Sequence, residues 1–177
     1  MDFQHVLKQR RSVRAYEKRV PTREQLQEVF AAVAQAPSAA GLQAYRIHVV
    51  AEEGVRRGLG MAAQGQAFVG EAPVVLVFCA DTSRAVEHGT VRETQYSVQD
   101  ALVAVAYAQL AVVEQYLSSC WVGAFDSAQV KALLGLPENE IPVALMPVGY
   151  PAVDLPEPQR RSMDELVSWH GMLAGGQ

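Results

Sequence analysis

Phe3, Val6 and Leu7 recur at helical spacing behind Asp2, which can cap a short helix ending at Gln9. After Pro21, Thr22-Arg23-Glu24-Gln25 forms a capping box, and Leu26, Val29, Phe30 and Val33 mark one apolar face of a helix that runs to about Ala36 and is stopped by Pro37-Ser38. The pattern then predicts a strand over residues 46–51 and a helix over 52–63. Residues 74–80 are apolar without a break, which predicts a strand buried on both faces and therefore a sheet with helices on both sides. Residues 81–93 are polar and aperiodic and read as a loop able to act as a lid. The longest helix is predicted over 93–117, where Val98, Ala101, Leu102, Val105, Ala106, Leu110, Val113 and Leu117 leave two faces to bury; such a helix belongs at the centre of the molecule or at a subunit interface. A short strand over 120–122 follows, then a helix capped by Asp126, faced by Val130, Leu133 and Leu134, and ended by Gly135. Residues 141–150 predict a strand in which Pro147 suggests an irregular or edge position. Residues 151–158 read as an extended, proline-punctuated arm, and the capping box Ser162-Met163-Asp164-Glu165 opens a last helix to about Trp169. An arm leaving its own core reads as one that docks on a twin subunit.

Composition narrows the classes. A chain of 177 residues, 50% hydrophobic and 19% charged, suffices for one full core and is short for two, which predicts a single domain over 1–177 with 151–177 as a C-terminal arm and helix. No apolar run approaches the ~20 residues of a membrane span; the most apolar, 101–113, is interrupted by Gln109 and closed by Glu114. The N-terminus carries acid at Asp2 where a secretion signal carries base, so a cytoplasmic location without membrane partners is expected. Cys79 and Cys120 lie in apolar runs without C-x-x-C spacing and read as small buried hydrophobes. His5, His48, His88 and His170 show no metal spacing, and no metal site is expected.

Charge singles out one stretch. Residues 1–23 hold seven Lys and Arg against two acids, in a chain whose net charge is −4. Their centre is Arg10-Arg11-Ser12-Val13-Arg14, three guanidinium forks that match phosphate oxygens. So local an island suits one small anionic ligand rather than nucleic acid, for which a basic domain is needed. The bland alternative is a solvated helix end favoured by the helix dipole. Gly58-Leu59-Gly60-Met61-Ala62-Ala63 fits a dinucleotide fingerprint, with Asp81 about twenty residues on, but the glycines fall late in a helical pattern instead of straight after a strand. No phosphate-binding P-loop, nucleophile elbow or zinc-protease motif occurs, and Cys120 has no histidine of predictable proximity. What remains is the basic turn, a small-residue loop at 37–43, a glycine turn at 121–125, and the pair Arg160-Arg161. Together these could cradle a flat, phosphate-bearing cofactor. Flavin mononucleotide (FMN) needs all of them: cations for the phosphate, close backbone amides for the ring edge and apolar faces for the ring.

Four stretches in order, Arg10 to Tyr16, Ala36 to Tyr45, Ser119 to Asp126 with Leu133 to Pro137, and Pro147 to Pro151, resemble the successive motifs of the FMN-dependent nitroreductase family over residues 7–170. The resemblance implies an α+β three-layer sandwich with a mixed, mostly antiparallel sheet flanked by helices, and an intertwined homodimer with two FMN sites at its interface. It implies that Arg10 and Ser12 hold the phosphate and ribityl end, supported by Arg11, and that Arg14 approaches N1 and O2 of the ring. Pro37, Ser38, Ala39 and Gly41 come from the other subunit. Trp121, Val122, Gly123 and Ala124 line the ring, with amides around Gly123 and Ala124 facing N5 and O4, and Arg160 with Arg161 closes on the phosphate. Arg14 and Gly123 are then the catalytic positions. Phe68, His88, Tyr96 and Trp121 are candidate pocket walls. Gly41 stands where the family commonly has Asn, Ala44-Tyr45 where it has Pro-Trp, Tyr116-Leu117-Ser118 where it has Gly-Leu-Gly, and Pro158 where it has Lys. The implied activity is ping-pong transfer of hydride from the co-substrate NAD(P)H, through flavin N5, to a nitroaromatic, quinone, enone or free flavin. The alternatives are a non-catalytic flavin or nucleotide carrier or redox sensor on the same fold, or a specialised member such as a flavin-fragmenting enzyme or a dehalogenase.

Overall fold

Four strands form one sheet in the computed structural model, which describes residues 2–86 and 93–171. They are β1 (Tyr45–Val50), β2 (Val74–Asp81), β3 (Ser118–Ser119) and β4 (Glu140–Gly149), in the spatial order β1-β2-β4-β3. All three pairings are antiparallel, and a parallel contact enters through the isolated bridge between Ser12 and Ser119. The helices are α1 (Phe3–Gln9), α2 (Arg23–Val33), α3 (Glu53–Ala62), α4 (Ala67–Glu71), α5 (Thr82–Val86), α6 (Glu93–Glu114), α7 (Ser127–Leu134) and α8 (Met163–Leu166).

The unbroken apolar run of β2 is buried at every position, as its pattern predicts. Its side chains alternate between two cores: Val74, Leu76 and Phe78 face α2 and α6, while Val75, Val77 and Cys79 face α3, α4 and α7. β4 continues both layers, with Ala144, Met146 and Val148 on the first face and Leu145 on the second. Each large side chain fully buried here, Phe78, Leu76, Leu145 or Met146, contributes about 1.5–3 kcal/mol of burial. α6 has the length and mean hydropathy, 1.3, to cross a membrane over Thr94–Glu114, against the expectation of no apolar run near the length of a span. Half of that window is buried in the molecule, between α2 and the sheet.

Several expectations are corrected. Of the two positions expected for Pro147, irregular or edge, the edge is excluded and the irregular pairing holds: β4 is an inner strand, and Pro147 lies opposite Val75. Its carbonyl accepts from the Cys120 N–H at 3.4 Å, so its missing N–H falls on the side where pairing beyond β3 is irregular. The predicted strand 120–122 is displaced to Ser118–Ser119, with Val122 joining β4 through reciprocal bonds to Leu145 of 2.9 and 3.0 Å. The 81–93 loop is shorter than expected, because β2 runs through Asp81 and α5 follows at once. The rest of that lid, including His88, lies outside the described residues. α4 has no counterpart in the pattern reading, and α8 is one turn rather than a helix to Trp169. The dinucleotide-like glycines serve packing: a Cβ at Gly58 would meet the Leu133 side chain at 2.8 Å, and one at Gly60 the backbone of Gln66 and Gly70 at 3.2 Å.

A candidate flavin site

The basic turn starts where α1 ends. Asp2 caps α1 by accepting from the His5 N–H at 2.9 Å, and the Arg10 N–H closes the last turn on the Val6 carbonyl. The chain then leaves helical geometry and runs beside the end of the sheet. The Val13 N–H donates to the Ser119 carbonyl, Glu17 N–H to Tyr150 and Ala152 N–H to Ala15, at 2.9–3.1 Å. Tyr16 locks the turn by donating its hydroxyl to Val13 O at 2.6 Å and Pro147 O at 3.2 Å. Burial is the first cause that pushes the Tyr16 hydroxyl far above its ordinary pKa, so it stays a donor.

Three guanidinium groups converge here. Arg10 is half-buried, and its pKa is lowered first by that burial and then by Arg160 and Arg11. Among the described residues, no carboxylate forms an ion pair with Arg10 or Arg160. Arg11 donates to the Pro156 carbonyl at 3.0 Å and to the carbonyls of Lys8 and Arg10, tying the C-terminal arm to the basic turn and bringing Arg160 within range. Arg161 is turned to its own helix, donating to Glu165 O at 2.6 Å. Ser12 is exposed at its bridge to Ser119. Like charges held together without a counter-charge are an arrangement that an anion would stabilise, and guanidinium groups match phosphate oxygens.

Arg14 is exposed and lies 5.8 Å from the centroid of the Phe68 ring. Phe68 belongs to α4, and the Gln66 amide just before that helix donates to Ala63 O and to Ala124 O, at 2.9 and 3.4 Å. The 121–124 turn is thereby fixed beside Arg14: Val122 is held by Leu145, and Asp126 N–H donates to Ala62 O at 2.8 Å before its side chain caps α7. Gly123 and Ala124 are exposed, and a Cβ on Gly123 would meet only Trp121 Nε1, at 3.9 Å. Cys120, behind this turn, is pushed up by burial, against the opposing pull of Arg14 and Arg10. Arg10, Arg11, Ser12, Arg14, Trp121, Val122, Gly123, Ala124 and Arg160 thus form one neighbourhood.

Pro37, Ser38, Ala39 and Gly41 do not join it. Their loop is bonded to Asp100, in the first half of α6, whereas the basic turn bonds to Ser119, beyond the C-terminal end of the same helix. From Asp100 to Glu114 the helix rises by about 20 Å. Tyr96, another pocket candidate, is also on that distant half. Pattern reading missed the roles of Tyr16 and Asp100: Tyr16 closes a family-like stretch, but its bond to Pro147 spans 131 positions, and the amides that Asp100 accepts are 61 and 56 positions away. It also missed the cluster on β1, β2 and β4 where ligand atoms of His48, Cys79 and Glu140 lie within 4.8 Å of one another. There the buried Glu140 carboxylate has one oxygen 3.1 Å from Arg46 and the other 2.6 Å from His48. That cluster reads as a neutralised buried carboxylate.

A family profile described as "Nitroreductase family" matches residues 7–66 and 60–150. The chain is 36% identical to an NADH dehydrogenase of Thermus thermophilus, with 96% of each covered. It is 28% identical to an FMN reductase [NAD(P)H] of Bacillus subtilis, over 80% of this chain and 63% of that one. The structure of NfrA2 from B. megaterium superposes with a TM-score of 0.90, covering 99% of this chain and 77% of the other at 23% identity, a likeness of fold.

Proposed function

Because this chain belongs to the nitroreductase family, we propose that it binds FMN in its basic turn and uses it to carry hydride from NAD(P)H to a small acceptor. It is an NAD(P)H-dependent oxidoreductase, the activity for which several of its relatives are named. The observation that carries the reading is the convergence of Arg10, Arg11 and Arg160, with no carboxylate paired to Arg10 or Arg160 among the described residues, beside the exposed backbone of the 121–124 turn. A group with a phosphate at one end and a flat, hydrogen-bonding ring at the other fits that donor set.

When bound, FMN supplies a two-electron relay that is reduced by NAD(P)H and reoxidised by a nitroaromatic, quinone, enone or free flavin, in ping-pong order. Arg10, Arg160, Arg11 and Ser12 would hold the phosphate end, while Arg161 is engaged by Glu165. Arg14 would place a fixed positive charge beside the ring, where it would stabilise negative charge in the transition state more than in the ground state. Phe68 keeps that guanidinium oriented. The exposed Gly123 and Ala124 amides would orient the ring and Trp121 would wall it, whereas Val122, buried in the core and bonded to Leu145 through both backbone groups, supports the turn from behind; no side-chain acid or base is called on.

The unit is a homodimer of one domain over 1–177, working in the cytoplasm without nucleic-acid or membrane partners. Residues 152–171 are exposed throughout, with Leu155, Met163, Leu166 and Trp169 among them, a run of apolar surface that a second copy covers. In the dimer the Pro37–Gln43 loop of one copy meets the basic turn of the other, which accounts for their separation along α6.

The test is the visible spectrum of the protein mixed with FMN and desalted, followed anaerobically by NADH and then NADPH. A retained flavin band that bleaches is expected. A band that stays unbleached with both donors favours the carrier or sensor reading, and a protein without flavin overturns the proposal.

A further inference from the structure

Asp100 is a buried carboxylate, 4% exposed, for which the reaction has no use. It sits on α6 and grips both ends of one loop: Oδ1 accepts the Ala39 N–H at 2.9 Å and Oδ2 the Ala44 N–H at 3.4 Å. Between those two amides the backbone takes positive φ at Ala40 (50°), Gly41 (71°) and Gln43 (48°). Two of these are not glycine, and a side chain in that region is strained. The loop carries its own cross-ties, Gln43 N–H to Ser38 Oγ and the Gln43 amide to Ala34 O, both 2.9 Å, but these lie within the loop and the adjoining helix end. From outside, the exposed Arg84 of α5 donates to the Leu42 carbonyl at 2.9 Å, and Asp100 is the tie that comes from the buried side, on α6. The tip faces open space: Ala40 and Gly41 are exposed, and a Cβ on Gly41 would meet nothing within 4 Å.

A surface loop of small residues, strained and yet held at both ends by one buried charge, is set in shape before anything binds to it. We propose that Asp100 is the positioning residue of the cofactor site, holding the Pro37–Gln43 loop in the form in which it meets the flavin bound by the basic turn of a second copy. This rests on the flavin reading above. The loop is thereby spared an ordering cost at binding, and the loss of Asp100 should appear as weakened affinity.

Asp100→Asn keeps the shape but sets an amide NH2 against one of the two backbone donors. Losing a hydrogen bond to a charged group corresponds to a weakening of about 10–100-fold. The expected result is that increase in the FMN Kd, read by flavin fluorescence, in an apoprotein that still unfolds cooperatively, with a melting temperature lowered by the lost bond. Should Asp100→Asn fail to fold, Ala39→Pro removes one donor while leaving the carboxylate; Ser38 already has the extended backbone, φ −144° and ψ 158°, that a following proline requires. The deciding experiment co-expresses Asp100→Asn with Arg10→Ala under two affinity tags and purifies the mixed dimer. If the loop acts across the dimer, one site carries both lesions and the other neither, so FMN occupancy returns to half while each parent dimer binds poorly. A mixed dimer as poor as its parents, or an Asp100→Asn protein that binds FMN like the wild type, overturns the role of Asp100 and leaves the flavin reading standing. Wild-type protein that retains no FMN overturns both.

Discussion

Arg14 is the side chain whose loss should separate holding the cofactor from using it. It lies apart from the Arg10–Arg160 pair and rests on Phe68, so Arg14→Ala should leave FMN bound while slowing its reduction by NAD(P)H about 10–100-fold, a loss of about 1.5–3 kcal/mol in transition-state stabilisation. Stopped-flow bleaching of the flavin band measures this, and an unchanged rate removes Arg14 from the mechanism. The two thiols make a second residue-scale test. Burial and the neighbouring Glu140 push Cys79 up to about 12, and burial raises Cys120 despite Arg14 and Arg10, so neither is a thiolate at neutral pH. The native protein should take up no thiol reagent at pH 8 within minutes, and two equivalents per chain once unfolded in guanidinium. Rapid labelling of the folded protein would contradict the burial assigned here.

Among the elements, α7 and the contact of α3 with α4 show how local rules and close approach share the work. α7 starts on the Asp126 cap and stops at Gly135, which has φ +62°. Gly135→Ala should cost about 1 kcal/mol through strain alone, since a Cβ there would meet nothing within 4 Å. Gly70→Ala is different: its Cβ would lie 2.9 Å from the Arg57 Cα, backbone against backbone, and forcing the helices apart should cost more, in the range of about 1–3 kcal/mol for overpacking. Urea unfolding of both variants checks the order, and Gly135→Ala proving the more damaging would refute it. Gly135 was legible as a helix stop from its place after a periodic run. Gly58, Gly60 and Gly70 were not legible as packing residues, because what excludes a side chain there is Leu133, Gln66 or Arg57, brought in by the fold.

For the molecule as a whole, the carboxylates set the acid limit. Burial raises Asp81, but bonds from Ser83 and Asn139 outweigh it and hold the group below its usual value. The caps Asp126 and Glu52 are lowered chiefly by the backbone N–H groups they accept. A carboxyl depressed in the folded state contributes stability that is full above its unfolded pKa, near 4, and is lost as pH falls through the folded value. The urea midpoint should therefore be level from about pH 6 to 5 and fall steadily between about pH 4 and 2; a flat profile to pH 3 would refute this.

The burial of β2 on both faces, the caps at Asp2, Thr22, Asp126 and Ser162, and the basic turn were determined by the sequence alone, since each depends on neighbours within a few positions. The same holds for the order of the family-like stretches and so for the kind of cofactor expected. Tertiary structure alone decided that Pro147 sits inside the sheet, because an inner strand tolerates a missing N–H only where its neighbour pairs irregularly, and Cys120 supplies that place. It alone brought Arg160 to Arg10 across 150 positions of chain, through the bond of Arg11 to Pro156. It alone put the Pro37–Gln43 loop on Asp100, at the far end of α6 from the basic turn. Local patterns record what a residue does to its own backbone; which distant surfaces meet depends on how the buried faces pack, and that is settled only when the sheet and its two layers of helices close on one another.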